Sequence, residues 1–360
     1  MQWSYPILRV RGTEIRIHLT FLLLLAWIGI AYFQQGGTAA AVEGVGFIGA
    51  VFACVVLHEL GHAAAASRYG IRTPKITLLP IGGVAELERL PEKPSEEIIV
   101  ALAGPLVNVV IAAFLVVVLG ATVGTEALTS MESPRVAFVA RLAAVNIWLV
   151  LFNLIPAFPM DGGRVLRALL SMRYSRVRAT EIAGTIGQFA AFAFGFLGLV
   201  AGNVLLIFVA IFVYLAATAE TQAIGLQDAA RAVDVRDAMI SRFESLPVTA
   251  HLEQAAQALL RTTQHEFPIV DGAGRLRGVL TRTGLVAGLQ QSGGQGPVVE
   301  AMVADIPVVR DHEKLGTALE YLQKGAAPAV GVVDAGGGLV GYVTIENIGE
   351  LMMLRSAVVR

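Results

Sequence analysis

The chain has 360 residues, of which 55% are hydrophobic and 15% charged, far below the roughly one quarter charged expected of an average soluble domain. A net charge of −1 offers no electrostatic footprint for nucleic acid. The single cysteine, Cys54, excludes an intramolecular disulfide and a cysteine-based zinc ribbon. Long apolar runs are confined to residues 1–219, residues 220–234 read as a linker, and the remainder has the composition of ordinary soluble protein.

Crossing the hydrocarbon core takes about 20 apolar residues. Six candidate spans follow in chain order, at 18–34, 45–67, 97–120, 136–156, 182–201 and 203–219. Gly202-Asn203, between the last two, predicts a tight helical hairpin. The expected fold is therefore a polytopic α-helical membrane protein with six transmembrane helices and a C-terminal α/β module. Loop charge supports this count. Arg9, Arg11 and Arg16 precede the first span, and only Glu43 lies between the first and second. Arg68, Arg72, Lys75, Arg89 and Lys93 follow the second, whereas the loop after the third holds Arg135 beside Glu126 and Glu132. Arg164, Arg167, Arg173, Arg176 and Arg178 follow the fourth. Basic residues thus alternate sides, which predicts a multi-pass cell-membrane protein with its N-terminus and C-terminal module cytoplasmic. A cleaved signal peptide is the alternative for the first span, but its apolar core is long for one.

The second span contains His58-Glu59-Leu60-Gly61-His62. Residues four apart share a helix face, so the two imidazoles can hold one metal. Glu59 is turned to the flank, where it can take a proton from water instead of binding metal. Three ionisable side chains within one span are costly and usually mark function. The alternative, a polar cluster pinning helices, is weakened because small residues suited to that task are present at Gly44, Gly46, Gly49, Ala50 and Ala53. A catalytic zinc usually has three protein ligands and an open position. Asp161 is the best third candidate, in Asn153-Leu-Ile-Pro-Ala-Phe-Pro-Met-Asp161-Gly162-Gly163, where two prolines end the fourth span. The second and fourth spans run in the same direction, which puts all three ligands at similar depth. Cys54, one turn before His58, reads as a small buried residue.

These residues resemble the site-2 proteases, intramembrane zinc metalloproteases of regulated proteolysis, and in particular the subgroup with six spans and C-terminal CBS domains. The paired motif, HExxH and Asn-x-x-Pro-x-x-Pro-x-Asp-Gly, is complete at His58–His62 and Asn153–Gly162. The resemblance implies one zinc on His58, His62 and Asp161, with Glu59 as general base. It also implies that Asn153 stands beside the catalytic centre, able to support the tetrahedral intermediate. Gly82-Gly83-Val84 resembles the family's membrane-embedded strand that pairs with an unwound substrate; an ordinary glycine turn is the other reading. Asn108 either faces the active site or bridges helices by a hydrogen bond.

The soluble tail repeats itself. Met239, Asp271 and Gly278 recur as Met302, Asp334 and Gly341 at one constant offset, the mark of a tandem duplication. Each repeat reads helix, strand, strand, helix, and the pair resembles two CBS domains, at 235–290 and 298–356. Such a resemblance implies a compact module, able to dimerise the chain and to bind an adenine nucleotide through a Thr or Ser followed three residues later by Asp. Thr344 and Asn347 come close to that signature; Thr281 and Gly284 lack the ribose-holding side chain. A structural or dimerising module is the other reading.

The expected function is hydrolysis of a peptide bond within or near the transmembrane segment of a membrane-spanning protein substrate in the lipid bilayer, regulated by the CBS pair. The rival is a CBS-gated transporter or channel that uses the intramembrane His and Glu residues. The general base beside the histidines, the Asp-Gly-Gly element and the lack of an evident repeat among the spans oppose it.

Overall fold

The computed structural model describes residues 3–91, 93–120, 123–124, 137–323, 325 and 327–358; Glu126, Glu132 and Arg135, weighed above, lie outside the described residues. The chain divides into two units, Met1–Thr221 and Gln222–Arg360.

The first unit is built on helices α1 (Leu19–Ser67), α2 (Pro94–Val117), α3 (Phe138–Asn153), α4 (Asp161–Ser171), α5 (Arg176–Val200) and the part of α6 (Val204–Ala232) up to Thr221. Of these, α1, α2, α5 and α6 are long and apolar enough to cross a membrane, and α3 is a shorter apolar helix. The first two expected spans are the limbs of α1. The chain turns at Gly36 and Gly37, and Gly37 adopts φ 71°, a conformation open to glycine. Phe21 then meets Phe52 at 4.3 Å between ring centroids, and Gly44 packs against the Tyr32 ring, so the limbs run antiparallel. The expected hairpin at Gly202-Asn203 is present: Gly202 has φ 63°, and the Asn203 side chain accepts from Leu206 N at 3.0 Å. The stretch expected to be a linker begins as helix, because α6 runs on to Ala232 through a segment free of proline.

Strands near the N-terminus were not expected from the sequence. Strands β1 (Ser4–Val10), β2 (Thr13–His18), β3 (Lys75–Leu79) and β4 (Gly82–Glu86) form one sheet in that order. β2 and β3 pair in parallel, and β4 pairs antiparallel to β3 at the sheet edge. Gly82, Gly83 and Val84 therefore lie in an edge strand and not in a simple turn.

A buried charge network fixes α4. The Arg167 guanidinium is fully buried and donates to the Glu97 carboxylate from Nε at 2.7 Å and from Nη2 at 2.5 Å. Its Nη1 donates to Glu220 at 2.6 Å, and its charge lies 5.0 Å from the centroid of the Phe158 ring. A buried guanidinium is tolerated only when well partnered, so these contacts restrict how α4 docks on α2 and α6.

The second unit has the expected duplicated plan. Its first half contains α7 (Leu252–Arg261), β6 (Glu266–Val270), β7 (Leu276–Thr281) and α8 (Arg282–Ser292), with β5 (Leu246–Pro247) parallel to β6. Its second half contains α9 (Val298–Ala301), β8 (Val303–Ala304), β9 (Val308–Arg310), α10 (Leu315–Gln323), β10 (Val330–Val333), β11 (Leu339–Val343) and α11 (Ile345–Val358). The halves exchange connections: β8 pairs with β7 of the first half, and Ile240 bridges to Tyr342 of the second. Each half keeps its own apolar core, around Phe267 and Ile269 in one and Val330 and Val332 in the other.

Candidate metal centre

Two helices bring the three predicted ligands together. His58 and His62 are one turn apart in the second limb of α1, and Asp161 is the first residue of α4. Their donor atoms form a near-equilateral triangle: the two Nε2 atoms are 3.1 Å apart, and each lies 3.2 Å from Asp161 Oδ2. All three residues are buried, and they form the metal-competent group among the described residues. The other Asp161 oxygen faces Arg164 at 3.9 Å.

Asp161 reaches this point because the chain folds tightly before α4. A methyl at Gly162 would overlap the carbonyls of Leu154 and Ile155, and one at Gly163 would come 2.5 Å from the Ala157 carbonyl carbon. Only glycine lets the segment after α3 lie against the start of α4 in this way.

The chemistry of the donor set can be tested against zinc. His62 Nδ1 lies 2.7 Å from the Val100 carbonyl oxygen, which can only accept. His62 therefore donates from Nδ1 and presents a lone pair at Nε2. His58 Nδ1 donates to Asn108 Oδ1 at 2.5 Å, which leaves its Nε2 in the same state. Three lone-pair-bearing atoms then converge within 3.2 Å, an arrangement that repels itself without a cation between them. Two imidazoles and a carboxylate, each imidazole tethered through its far nitrogen, match a catalytic zinc site. A glycine leaves room for the ion. A methyl at Gly104 of α2 would overlap His62 Nε2 and come 2.6 Å from His58 Nε2.

Glu59 is outside the triangle. Its Cγ would lie 2.7 Å from a methyl at Gly83, so it runs along edge strand β4. The Gly82–Val84 segment is thus next to Glu59. Asn108 does both things the sequence left open: it touches His58, and it bridges to Asn146 of α3 at 2.8 Å. Asn153 ends α3 and donates to the Leu149 carbonyl at 2.9 Å, with no contact to the triangle among the described hydrogen bonds. Cys54 is buried, and its sulfur faces Asn146 Nδ2 at 3.4 Å, away from the ligand set. Sequence reasoning missed Gly104 and Asn146. The only signals were one more small residue in α2 and a second asparagine, besides Asn153, in α3.

In the second unit, Thr344 and Asn347 line a cavity of about 640 Å³ together with Phe243, His265, Glu266 and Tyr342. Thr344 Oγ1 donates to Asn347 Oδ1 at 2.6 Å. Burial, together with the neighbouring Glu346 charge, raises the Glu266 carboxyl above its ordinary range. In the other half, Gly284 cannot carry a side chain, since a methyl there would come 2.8 Å from the Ala301 carbonyl oxygen.

The model of Peptidase family M50 matches residues 46–135 and 128–197, and the CBS domain model matches 235–290 and 298–353. A zinc metalloprotease of Methanocaldococcus jannaschii is 34% identical over 281 residues, 78% of this chain and 78% of that protein. Rip3 of Mycobacterium tuberculosis is 29% identical over 376 residues, 98% of this chain and 93% of that protein. The solved site-2 protease from Methanocaldococcus jannaschii is 36% identical and covers 61% of this chain and 95% of its own, with a TM-score of 0.47. The extent and identity of the first of these relatives place the chain in peptidase family M50: it is a membrane zinc metalloprotease of the site-2 protease type, with a C-terminal tandem of CBS domains.

Proposed function

We propose that this protease hydrolyses a peptide bond in or beside the transmembrane segment of its substrate with His58, His62 and Asp161 as zinc ligands and Glu59 as general base. The observation that carries this reading is the triangle of three inward-facing lone pairs 3.1 to 3.2 Å apart. Bound zinc supplies Lewis acidity toward the scissile carbonyl and makes water a stronger acid. His58 and His62 hold their lone pairs inward because their Nδ1 protons are committed elsewhere. Glu59 accepts the proton of the attacking water and passes it to the leaving amine nitrogen as the C–N bond breaks. Asn153 is proposed to steady the oxygen that gains charge at the scissile carbon. Its amide would have to leave the Leu149 carbonyl to do so.

Substrate is proposed to pair with β4 at Gly82, Gly83 and Val84. A helix hides its peptide bonds in its own hydrogen bonds, so a bond to be cut must first unwind. An edge strand offers the unwound chain replacement partners, and β4 passes against Glu59. The six-crossing topology with a cytoplasmic N-terminus and cytoplasmic CBS pair is also proposed, on loop charge. If zinc is held as described, metal analysis of the purified full-length chain gives one zinc per chain, and His58→Ala, His62→Ala and Asp161→Ala each lose most of it. Full retention in all three would sink the assignment.

The CBS pair is proposed to regulate cleavage, to support a homodimer and to bind an adenine nucleotide in the cavity at Thr344 and Asn347. The cavity's size and the Thr344–Asn347 pairing support this, and the blocked Gly284 position limits the module to one such half-site. A regulator must bind two states unequally, because a ligand with equal affinity for both shifts nothing. Titrating ATP into the full-length protein should therefore show saturable binding that Asn347→Ala weakens, together with a change in cleavage rate. An absence of binding at millimolar ATP would leave dimerisation as the module's role.

A further inference from the structure

Two asparagines, Asn108 of α2 and Asn146 of α3, are fully buried, and of the two only Asn108 touches a histidine. An amide side chain has a donating end and an accepting end, so its effect on His58 depends on which way it is turned. Were Asn108 reversed, its NH2 would face His58 Nδ1 and that nitrogen would have to accept. The ring proton would then sit on Nε2, pointing at Asp161 and His62, and the ring could not bind a cation there.

What prevents the reversal lies one residue further out. Asn146 Nδ2 is 2.9 Å from the carbonyl oxygen of Leu142 and 3.4 Å from Cys54 Sγ. A backbone carbonyl can only accept, so the Asn146 atom facing it must be the nitrogen. Asn146 Oδ1 is thereby turned toward Asn108, 2.8 Å from its Nδ2. That leaves Asn108 Oδ1 for His58 Nδ1, which must carry the proton. Each link has a single solution once the Leu142 carbonyl is in place.

We infer that Asn146 is a positioning residue of the metal centre: it transmits the polarity of the Leu142 carbonyl through Asn108 and holds His58 in the tautomer whose Nε2 can accept zinc. The inference rests on the reading of His58 as a zinc ligand. A residue that merely filled space between helices, or merely pinned them, would respond differently to substitution. Leucine fills the volume of asparagine without its hydrogen bonds. A buried, protonated aspartic acid reproduces the pattern, with its carbonyl oxygen accepting from Asn108 and its hydroxyl donating to Leu142.

The test uses full-length protein in lipid nanodiscs and measures zinc affinity by competition with a chelator. Asn146→Leu frees Asn108, the partner of His58, to turn over, and so should weaken zinc by about 10–100-fold, the usual effect of losing the outer partner of a metal-bound histidine, while Asn146→Asp should stay within about threefold of wild type. Wild-type affinity in Asn146→Leu, or equal losses in the two variants, overturns the inference. Should Asn146→Leu not fold, 15N NMR of labelled histidine in the metal-free wild-type protein decides instead. The Nδ1–H tautomer at His58 supports the relay, and a dominant Nε2–H tautomer overturns it. A wild-type protein without stoichiometric zinc, or a His58→Ala variant that keeps it, defeats the ligand assignment; the tautomer measurement still judges the relay separately.

Discussion

Glu59→Gln is expected to keep its zinc and to lose turnover by about 10²–10⁴-fold, the range for removing a positioned general base. The two halves of this expectation come from different geometry. Zinc retention follows because the three converging donor atoms belong to His58, His62 and Asp161, and none belongs to Glu59. Loss of turnover follows because the proposed reaction needs a base that takes a proton from water and returns it to the leaving nitrogen. The Glu59 side chain lies between the metal-binding helix and edge strand β4. A substrate held on that strand would put its peptide bond within reach of both. Glutamine keeps the shape and cannot accept the proton. The measurement is single-turnover cleavage of a membrane-spanning model substrate in vesicles, with metal content determined on the same preparation. Cleavage at the wild-type rate removes Glu59 from the base role, and loss of zinc would make it a ligand or a support of one.

Much of this site is legible in the sequence because its constraints are local. The i, i+4 spacing of His58 and His62 needs only a helix, and Pro156 and Pro159 announce a broken backbone before Asp161, with Gly162 and Gly163 allowing close approach after it. The duplicated tail is legible for a similar reason, since a constant offset requires no knowledge of packing. What could not be read depends on distant partners. Asn146 has a role only because α3 sets it against Asn108 of α2, which in turn meets His58 of α1. Strands β1 and β2 are short and acquire a long-range partner only when β2 pairs with β3, more than fifty residues later in the chain. Arg167 looked like one of several loop cations, yet it is fully buried between Glu97 and Glu220. Charge alternation locates a loop but does not show which of its cations turns inward.

Gly104→Ala is expected to abolish zinc binding and activity together while leaving the protein folded. The added methyl would overlap His62 Nε2 and come 2.6 Å from His58 Nε2, the two atoms proposed to hold the ion. Ordinarily a neighbouring side chain could move aside, but neither ring is free to do so. His62 is tethered to the Val100 carbonyl and His58 to Asn108, and both partners belong to α2, the helix that carries Gly104. Withdrawal of the helix is opposed as well, because α1 and α2 approach closely at Gly61, where a methyl would come 2.8 Å from the Ala103 carbonyl oxygen. Small residues at such a contact let two backbones pack in a membrane. The methyl would therefore sit in the space of the metal while the helix contact stays intact. Gly61→Ala offers the contrast: it should separate the helices and lower thermal stability by about 1–3 kcal/mol, the cost of overpacking. Metal content, thermal unfolding and cleavage measured on both variants distinguish these effects. Gly104→Ala should hold less than about a tenth of the wild-type zinc, a loss at least as large as that caused by removing an outer partner of a bound histidine. Stoichiometric zinc with wild-type affinity in that variant would mean that the ion lies elsewhere than between His58, His62 and Asp161.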